Sequence, residues 1–529
     1  MRDPLAGLPR VTYANAAADF GALHACIDTH WPAISAALVG GEQAHLIDGR
    51  ADHSGARVRI ASPIDASLNL GSLPMADPGT VDRAVQAARR AAGAWRQTPP
   101  LHRAQALRRV AEALHDARLE LAVAAVLEVG KSRLEALGEI EESIDLIGYY
   151  CDQLEASGGW EQVLRAGPGG ESGHDRLRPY GVFAVIAPFN YPFALAIGMS
   201  AGALLGGNCV VLKPSPAAVL SAAALARVFT QAGLPPGVFN LVCGDAHTGQ
   251  ALASHPQVDG VAFTGSHEVG MSLLRQAAAA AFMKPVLAEL GGKNAAFVTA
   301  SADLDVAASG VARSAFGLSG QKCSSCSKVY VHASVRADFI ERLTHVMAGL
   351  RVGDPRLAPT FTGPVIDTRA GQRFDAAVQS ARLAGPATLI VGGERLTGGI
   401  FDAGIYLAPT VVADLPADHD LNRRELFLPL LSLQTFDALQ EAIGDSNRST
   451  LGLTAGIYAR DQAELDLFDD RIEAGVLYAN RASGATTGAW PGFQTFCGWK
   501  GSGLTGKGGL GAHYVQQFMR EQSRTVARR

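Results

Sequence analysis

Two cysteines three positions apart, Cys323 and Cys326 in GQKCSSCSKVYV, are the pair whose types and spacing bear most directly on chemistry. They permit half of a metal site, a redox pair, or one nucleophile with an incidental neighbour. Structural zinc needs four ligands, and no second C-x2-C or C-x2-H pair occurs elsewhere. His332 is near in sequence, but it alternates along the strand that follows. A thioredoxin-like pair wants its first cysteine at a helix start after a strand, whereas the order here reads helix, loop, strand. Two ordinary cysteines beside a strand are the bland alternative.

Other residues could serve a nucleophile. Glu289 ends the apolar run of LAELGGKN, and Asn190 follows another in APFNYP, where a side-chain amide could donate to an oxyanion. Gly265 and Ser266 in VAFTGS stand at a strand-to-helix turn, whose free N–H groups suit a phosphate. Lys213 ends NCVVLK. Singly, each reads as a surface group or a turn. Together they stand where the strands of α/β sheets end, which is where such sheets place their sites.

Periodicity supplies the elements that must position these groups. Residues 75–155 repeat apolar side chains at helical spacing, opening on a candidate Asp cap in DPGTVDRAV. The Gly-rich stretch 160–180 breaks this pattern and reads as a mobile linker or an extended hairpin. From Gly181 to about 285, short apolar runs alternate with helical segments, the signature of a parallel sheet covered on both faces. A second α/β unit begins around KPVLAELGGKN. The last forty residues are Gly-rich and then amphipathic.

A chain of 529 residues predicts two or three domains. Its net charge of -4 suggests neither a nucleic-acid groove nor a polybasic membrane patch. No signal-like start and no unbroken run of 18 apolar residues are seen, so the expectation is a soluble cytoplasmic protein. Seven dispersed cysteines argue against a disulfide framework, and no metal is expected.

The pieces APFNYP, VLKPSP, VAFTGSHEVG, LAELGGKN, GQKCSSCSKVYV, RELFLPLLSL, LGLTAGIY and GWKGSG, in this order, resemble the NAD(P)-dependent aldehyde dehydrogenase superfamily across essentially the whole chain. The resemblance implies an α/β fold with a Rossmann-type coenzyme domain (1–158 and 182–288) and an α/β catalytic domain (289–478). A hairpin and tail (159–181 and 500–529) would then form an oligomerisation element, making the protein a homodimer or higher homo-oligomer. It further implies Cys323 as the nucleophile that adds to an aldehyde carbon. Asn190 and the Cys323 N–H would hold the oxyanion, and Glu289 would activate the water that hydrolyses the thioester. Cys326 becomes a packing residue. Lys213 and Glu425 match the groups that hold the two riboses of the coenzyme, with Phe427 beside Glu425 and Ser266 at the pyrophosphate. Ala187, Pro188, Ser215, Gly265 and Gly270 complete the coenzyme set. Many NAD-preferring members carry Glu three positions after the lysine; Pro216 stands there, so NAD is expected with NADP also admitted.

Within the superfamily the chain resembles the 1-pyrroline-5-carboxylate (L-glutamate γ-semialdehyde) dehydrogenases. The carriers are EVGKSRLEALGEIEESIDLIGYYCDQ, the Ser324 after Cys323, and the C-terminal tail. The implied substrate contacts are Glu139 at the ammonium, and Ser324, Gly484, Ala485 and Phe496 elsewhere. Two departures bear on the substrate. Ala485 replaces an anchoring serine, and the segment to Phe496 is longer, so Trp490 and Phe493 could narrow the pocket for a longer or aromatic aldehyde. A different aldehyde, a coenzyme-free thiol esterase and a catalytically silent homologue are the competing readings.

Overall fold

The computed structural model describes residues 4–12, 15, 18–167, 169–482 and 489–527. Two seven-stranded sheets organise them. In the first, strands Val286–Glu289, Gly260–Thr264, Val182–Ile186, Cys209–Lys213 and Phe239–Leu241 run parallel in that order, and His45–Ile47 and Arg50–Asp52 close the edge antiparallel. Central strands such as VFAVI and CVVLK are buried along their whole length, because helices cover both faces of the sheet. The second sheet orders Thr388–Val391, Thr410–Ala413, Leu430–Phe436, Cys326–His332, Asn294–Val298, Thr454–Tyr458 and Val476–Ala479, all parallel except its first pair.

The connection between the sheets decides where the site forms. Glu289 ends one strand and Asn294 begins the next, so only residues 290–293 join them. A link this short places the C-terminal edge of the first sheet against the N-terminal edge of the second. Register brings Thr264 beside Glu289, Phe263 beside Ile186 and Ile186 beside Lys213 along the first edge.

Helices fill residues 78–156. The expected cap is Asp77, whose carboxylate accepts the Thr80 N–H at the start of helix Pro78–Gln97. The Gly-rich stretch forms an antiparallel hairpin, Glu161–Val163 with Ser172–Pro179. The tail segment Met519–Val526 adds a third strand to it. No helix among the described residues is long and apolar enough to cross a membrane.

Candidate active site

The turn before Cys323 is built from an unusual backbone. Leu318, Ser319 and Gly320 all take left-handed conformations, with φ of 49°, 52° and 69°. Two of these residues carry a side chain that disfavours that region. Neighbours hold the turn: Thr362 Oγ1 accepts the Ser319 N–H at 2.6 Å, the Ser319 hydroxyl donates to Gly363 O at 2.7 Å, and Gln321 Oε1 accepts the Ile366 N–H at 2.9 Å. A side chain at Gly320 would put its Cβ 2.2 Å from Leu428 O, so only glycine fits.

Downstream, Asn294 clamps the same loop. Its amide donates to Cys323 O at 2.8 Å and to Ser325 O at 3.0 Å, while its carbonyl accepts the Thr454 N–H at 2.9 Å. Asn190 is buried and donates to Gln321 O at 3.0 Å, which sets it two residues from Cys323. Cys326 is buried in the following strand, its thiol facing Lys328 O.

Cys323, Ser324, Glu289 and Phe496 line one cavity of about 110 Å³, together with Glu142, Tyr191 and a wall of Leu and Met side chains. Burial pushes the Cys323 thiol up to about 12, reinforced by the nearby Glu425 and Glu289 carboxylates. Burial likewise pushes Glu289 up to about 8, opposed only by a backbone hydrogen bond from Gly498. Its Oε2 is buried without a hydrogen-bond partner among the described residues. A carboxyl poised this way can take or give a proton near neutral pH, the property expected of a general base.

Glu139 stands elsewhere. It is fully buried, and its carboxylate accepts the N–H groups of Phe193 at 2.7 Å and Ala194 at 3.1 Å, at the start of helix Ala194–Leu205. It also pairs with Lys131 at 2.5 Å, and Lys131 lies 3.5 Å over the Tyr191 ring. With both oxygens committed, Glu139 does not line the cavity as expected; it braces the segment that carries Asn190 and Tyr191. Glu142, three residues on, does line the cavity, as Glu289 does, and shares a helix face with Leu146 and Tyr150. That four-residue spacing was the available signal. Phe493 is 77% exposed and Trp490 turns its indole N–H to Asp145 at 2.7 Å, so neither narrows the cavity; Ala489 lines it instead. Gly484 and Ala485 lie outside the described residues.

Most of the expected coenzyme residues lie along the C-terminal edge of the first sheet, while Glu425 and Phe427 come from the segment before strand Leu430–Phe436 of the second. Ala187 and Pro188 follow strand Val182–Ile186, and the Ala187 N–H donates to Lys213 O at 3.1 Å. Lys213 is buried with no acid paired to it among the described residues, and desolvation lowers its ammonium to about 8. Ser215 caps the short turn that begins at the exposed Pro216. Gly265 and Ser266 precede helix His267–Ala278, which Ser266 caps. At Gly270 a Cβ would meet Leu290 at 2.5 Å, so glycine lets this helix pack against the segment after Glu289. Glu425 accepts the Gly292 N–H at 3.2 Å, and burial pushes it up to about 7. Phe427 takes φ of 59° and meets Phe189 edge-on at 6.0 Å between ring centroids. A helix N-terminus for phosphates, with an ammonium and a buried carboxylate for ribose hydroxyls, fits a dinucleotide.

The sequence profile of the aldehyde dehydrogenase family matches residues 50–523. The chain belongs to the aldehyde dehydrogenase family. Membership carries NAD(P)-dependent oxidation of an aldehyde. Among similar aldehyde dehydrogenases, 1-pyrroline-5-carboxylate dehydrogenase 1 of Halalkalibacterium halodurans is 32% identical over 495 residues, covering 92% of this chain and 93% of that protein. The 3,6-anhydro-alpha-L-galactose dehydrogenase of Streptomyces coelicolor is 35% identical over 498 residues, covering 94% and 98%. The crystal structure of a Thermus 1-pyrroline-5-carboxylate dehydrogenase with bound NAD superposes with a TM-score of 0.91 at 30% identity, covering 98% of this chain and 99% of that one.

Proposed function

We propose that the protein oxidises L-glutamate γ-semialdehyde, the open form of 1-pyrroline-5-carboxylate, to L-glutamate, with NAD as coenzyme and NADP admitted. The observation that carries this reading is Glu142, a carboxylate that lines the cavity holding Cys323, on the helix face that also brings Leu146 and Tyr150 to it. It is the group suited to the substrate ammonium, the role first expected of Glu139. Ser324 and the backbone of the loop containing Gly484 and Ala485 are proposed to meet the α-carboxylate, with Phe496 packing against the chain between the two charges. The relatives named 1-pyrroline-5-carboxylate dehydrogenase support the same substrate.

Cys323 adds through sulfur to the aldehyde carbon as its thiol proton passes to solvent water, and the carbonyl π electrons move to oxygen. Asn190 and the Cys323 N–H donate to that oxyanion, where the stabilisation counts most. Lys213, Ser215, Ser266, Glu425 and Phe427, with Ala187, Pro188, Gly265 and Gly270 shaping the groove, would hold the nicotinamide coenzyme, which supplies the hydride acceptor that turns the thiohemiacetal into a thioester. Glu289 then takes a proton from water as the water attacks the thioester carbon. The C–S bond breaks, and the carboxylate product and the Cys323 thiol are released. Pro216, in place of an acid near Lys213, leaves no carboxylate there to repel a 2'-phosphate.

The segments 1–158 and 182–288 are proposed as the coenzyme domain and 289–478 as the catalytic domain. The sheet of hairpin and tail is proposed to join subunits: its strands Glu161–Val163 and Met519–Val526 are largely exposed, an edge that a second copy would cover.

A second reading has its own support. The cavity wall includes Leu146, Leu195, Met199, Leu290 and Leu510, which suits an uncharged aldehyde, and the Streptomyces relative is named for a sugar substrate. Comparing kcat/KM on the semialdehyde, hexanal and benzaldehyde separates the two. One charge-assisted bond is worth roughly 1.5–3 kcal/mol, so Glu142→Gln should cost the semialdehyde about ten- to hundredfold and leave hexanal unchanged. Equal loss on all three, or preference for the uncharged aldehydes, refutes the substrate assignment.

A further inference from the structure

A second cavity, of about 320 Å³, opens on the far side of the strand that follows Cys323. Four cations line it: Lys293, Lys328, Arg423 and Arg448. Asp445 is the one carboxylate among them, and it is already shared. Lys328 pairs with it at 2.8 Å, Arg448 pairs with it too, and the Tyr330 hydroxyl donates to it at 2.5 Å. Lys293 and Arg423 have no acid within ion-pair distance among the described residues.

Lys293 is the telling group. It is 6% exposed, and its ammonium makes one hydrogen bond, to Ser327 O at 3.2 Å. An ammonium carries three donors, so two find no partner among the described residues, and an unpaired buried charge is costly. Glu425, the acid whose charge acts on Lys293, already takes the Gly292 N–H. Burial and the like charge of Lys328 lower Lys293 to about 7. An oxyanion bound in this cavity would give the ammonium the partner it lacks among the described residues and favour its charged form. Two guanidinium forks at the exposed mouth, with Ser449 and Thr450 hydroxyls in the wall, suit an oxyanion that accepts several bonds at once.

We propose that this cavity binds a phosphate group, with Arg423 and Arg448 gripping it at the mouth and Lys293 and Lys328 neutralising it from within. The group comes either as inorganic phosphate or as the phosphate of a small monoester. Liquid water occupies about 30 Å³ per molecule, so the space exceeds what a bare phosphate fills and accommodates the body of an ester. The site is separate from the proposed coenzyme groove, yet it touches the 290–293 link between Glu289 and the second sheet. Occupancy would thus be felt at the catalytic edge.

The test is isothermal titration of inorganic phosphate and of ribose 5-phosphate into the full-length protein, at constant ionic strength with NAD saturating so that the coenzyme groove is closed. Binding of either is expected, weakened about ten- to hundredfold in the double variant R423A/R448A and also in Lys328→Met. Tighter binding of the ester would identify it as the ligand form; equal binding would identify free phosphate. Arg448 is 68% exposed and Arg423 is also on the surface, so the double variant should fold even if Lys328→Met does not. No binding by either compound at saturating NAD, or binding unchanged in R423A/R448A, overturns the proposal.

Discussion

Replacing Glu289 by Gln should make the protein more stable at alkaline pH and slower in one step of its reaction. Glu289 sits at about 8 instead of its ordinary 4.5 because burial disfavours the carboxylate. At 1.36 kcal/mol per pH unit, holding it ionised costs at most about 5 kcal/mol. The sign follows from proton linkage. Between 4.5 and 8 the folded state keeps a proton that the unfolded chain has released, so stability falls as pH rises through this window and levels off above about 8. Glutamine is neutral throughout and escapes the loss. Urea unfolding of both proteins at pH 5, 7 and 9 isolates the effect, because the other shifted groups, Glu128, Glu425, Lys213 and Lys293, are common to both. The variant should gain on the wild type as pH rises, by up to a few kcal/mol at pH 9. Rapid mixing with aldehyde and NAD should then show a full burst of NADH and a depressed steady state, since only thioester hydrolysis needs the base. Parallel stability curves would refute the buried-carboxylate argument. A burst reduced as much as the steady state would refute the role in hydrolysis.

Cys323→Ala should abolish aldehyde oxidation yet retain NAD binding by fluorescence titration, whereas Cys326→Ala should keep most activity; the reverse pattern would move the nucleophile. Glu139→Gln leaves Lys131 buried without its partner, and breaking such a pair costs roughly 3–5 kcal/mol, so its denaturation midpoint should drop, in contrast to Glu142→Gln. Sedimentation at micromolar protein should give a dimer or larger, and removal of residues 519–527 should shift it toward monomer.

The positions of the candidate cysteine loop and of the strand-end residues were readable because short buried strands write themselves as unbroken apolar runs, and the polar residue after each run marks the sheet edge. Which face of a helix meets a cavity is a different kind of information. Glu139 and Glu142 lie three residues apart, and only the packing of helix Arg133–Ala156 against helix Ala194–Leu205 sends one to a backbone cap and the other to the cavity. Asn294 was in view within ELGGKN, but a side-chain clamp on a loop from another strand leaves no periodic trace. The strands between 41 and 75 are partly or largely exposed and lack the apolar runs that betray the others. The left-handed pair Leu318 and Ser319 is equally silent, since neither residue type announces that conformation.

At Gly320 the backbone of the nucleophile turn rests on the carbonyl of Leu428, with no side chain between them. Leu428 directly follows Phe427 and lies three residues from Glu425, so the segment proposed to grip the nicotinamide ribose is in direct mechanical contact with the segment that aims the thiol. A side-chain contact could absorb a shift by changing rotamer; a backbone-to-backbone contact passes it on. A shift of residues 425–428 around a ligand would therefore be passed directly to the turn before Cys323.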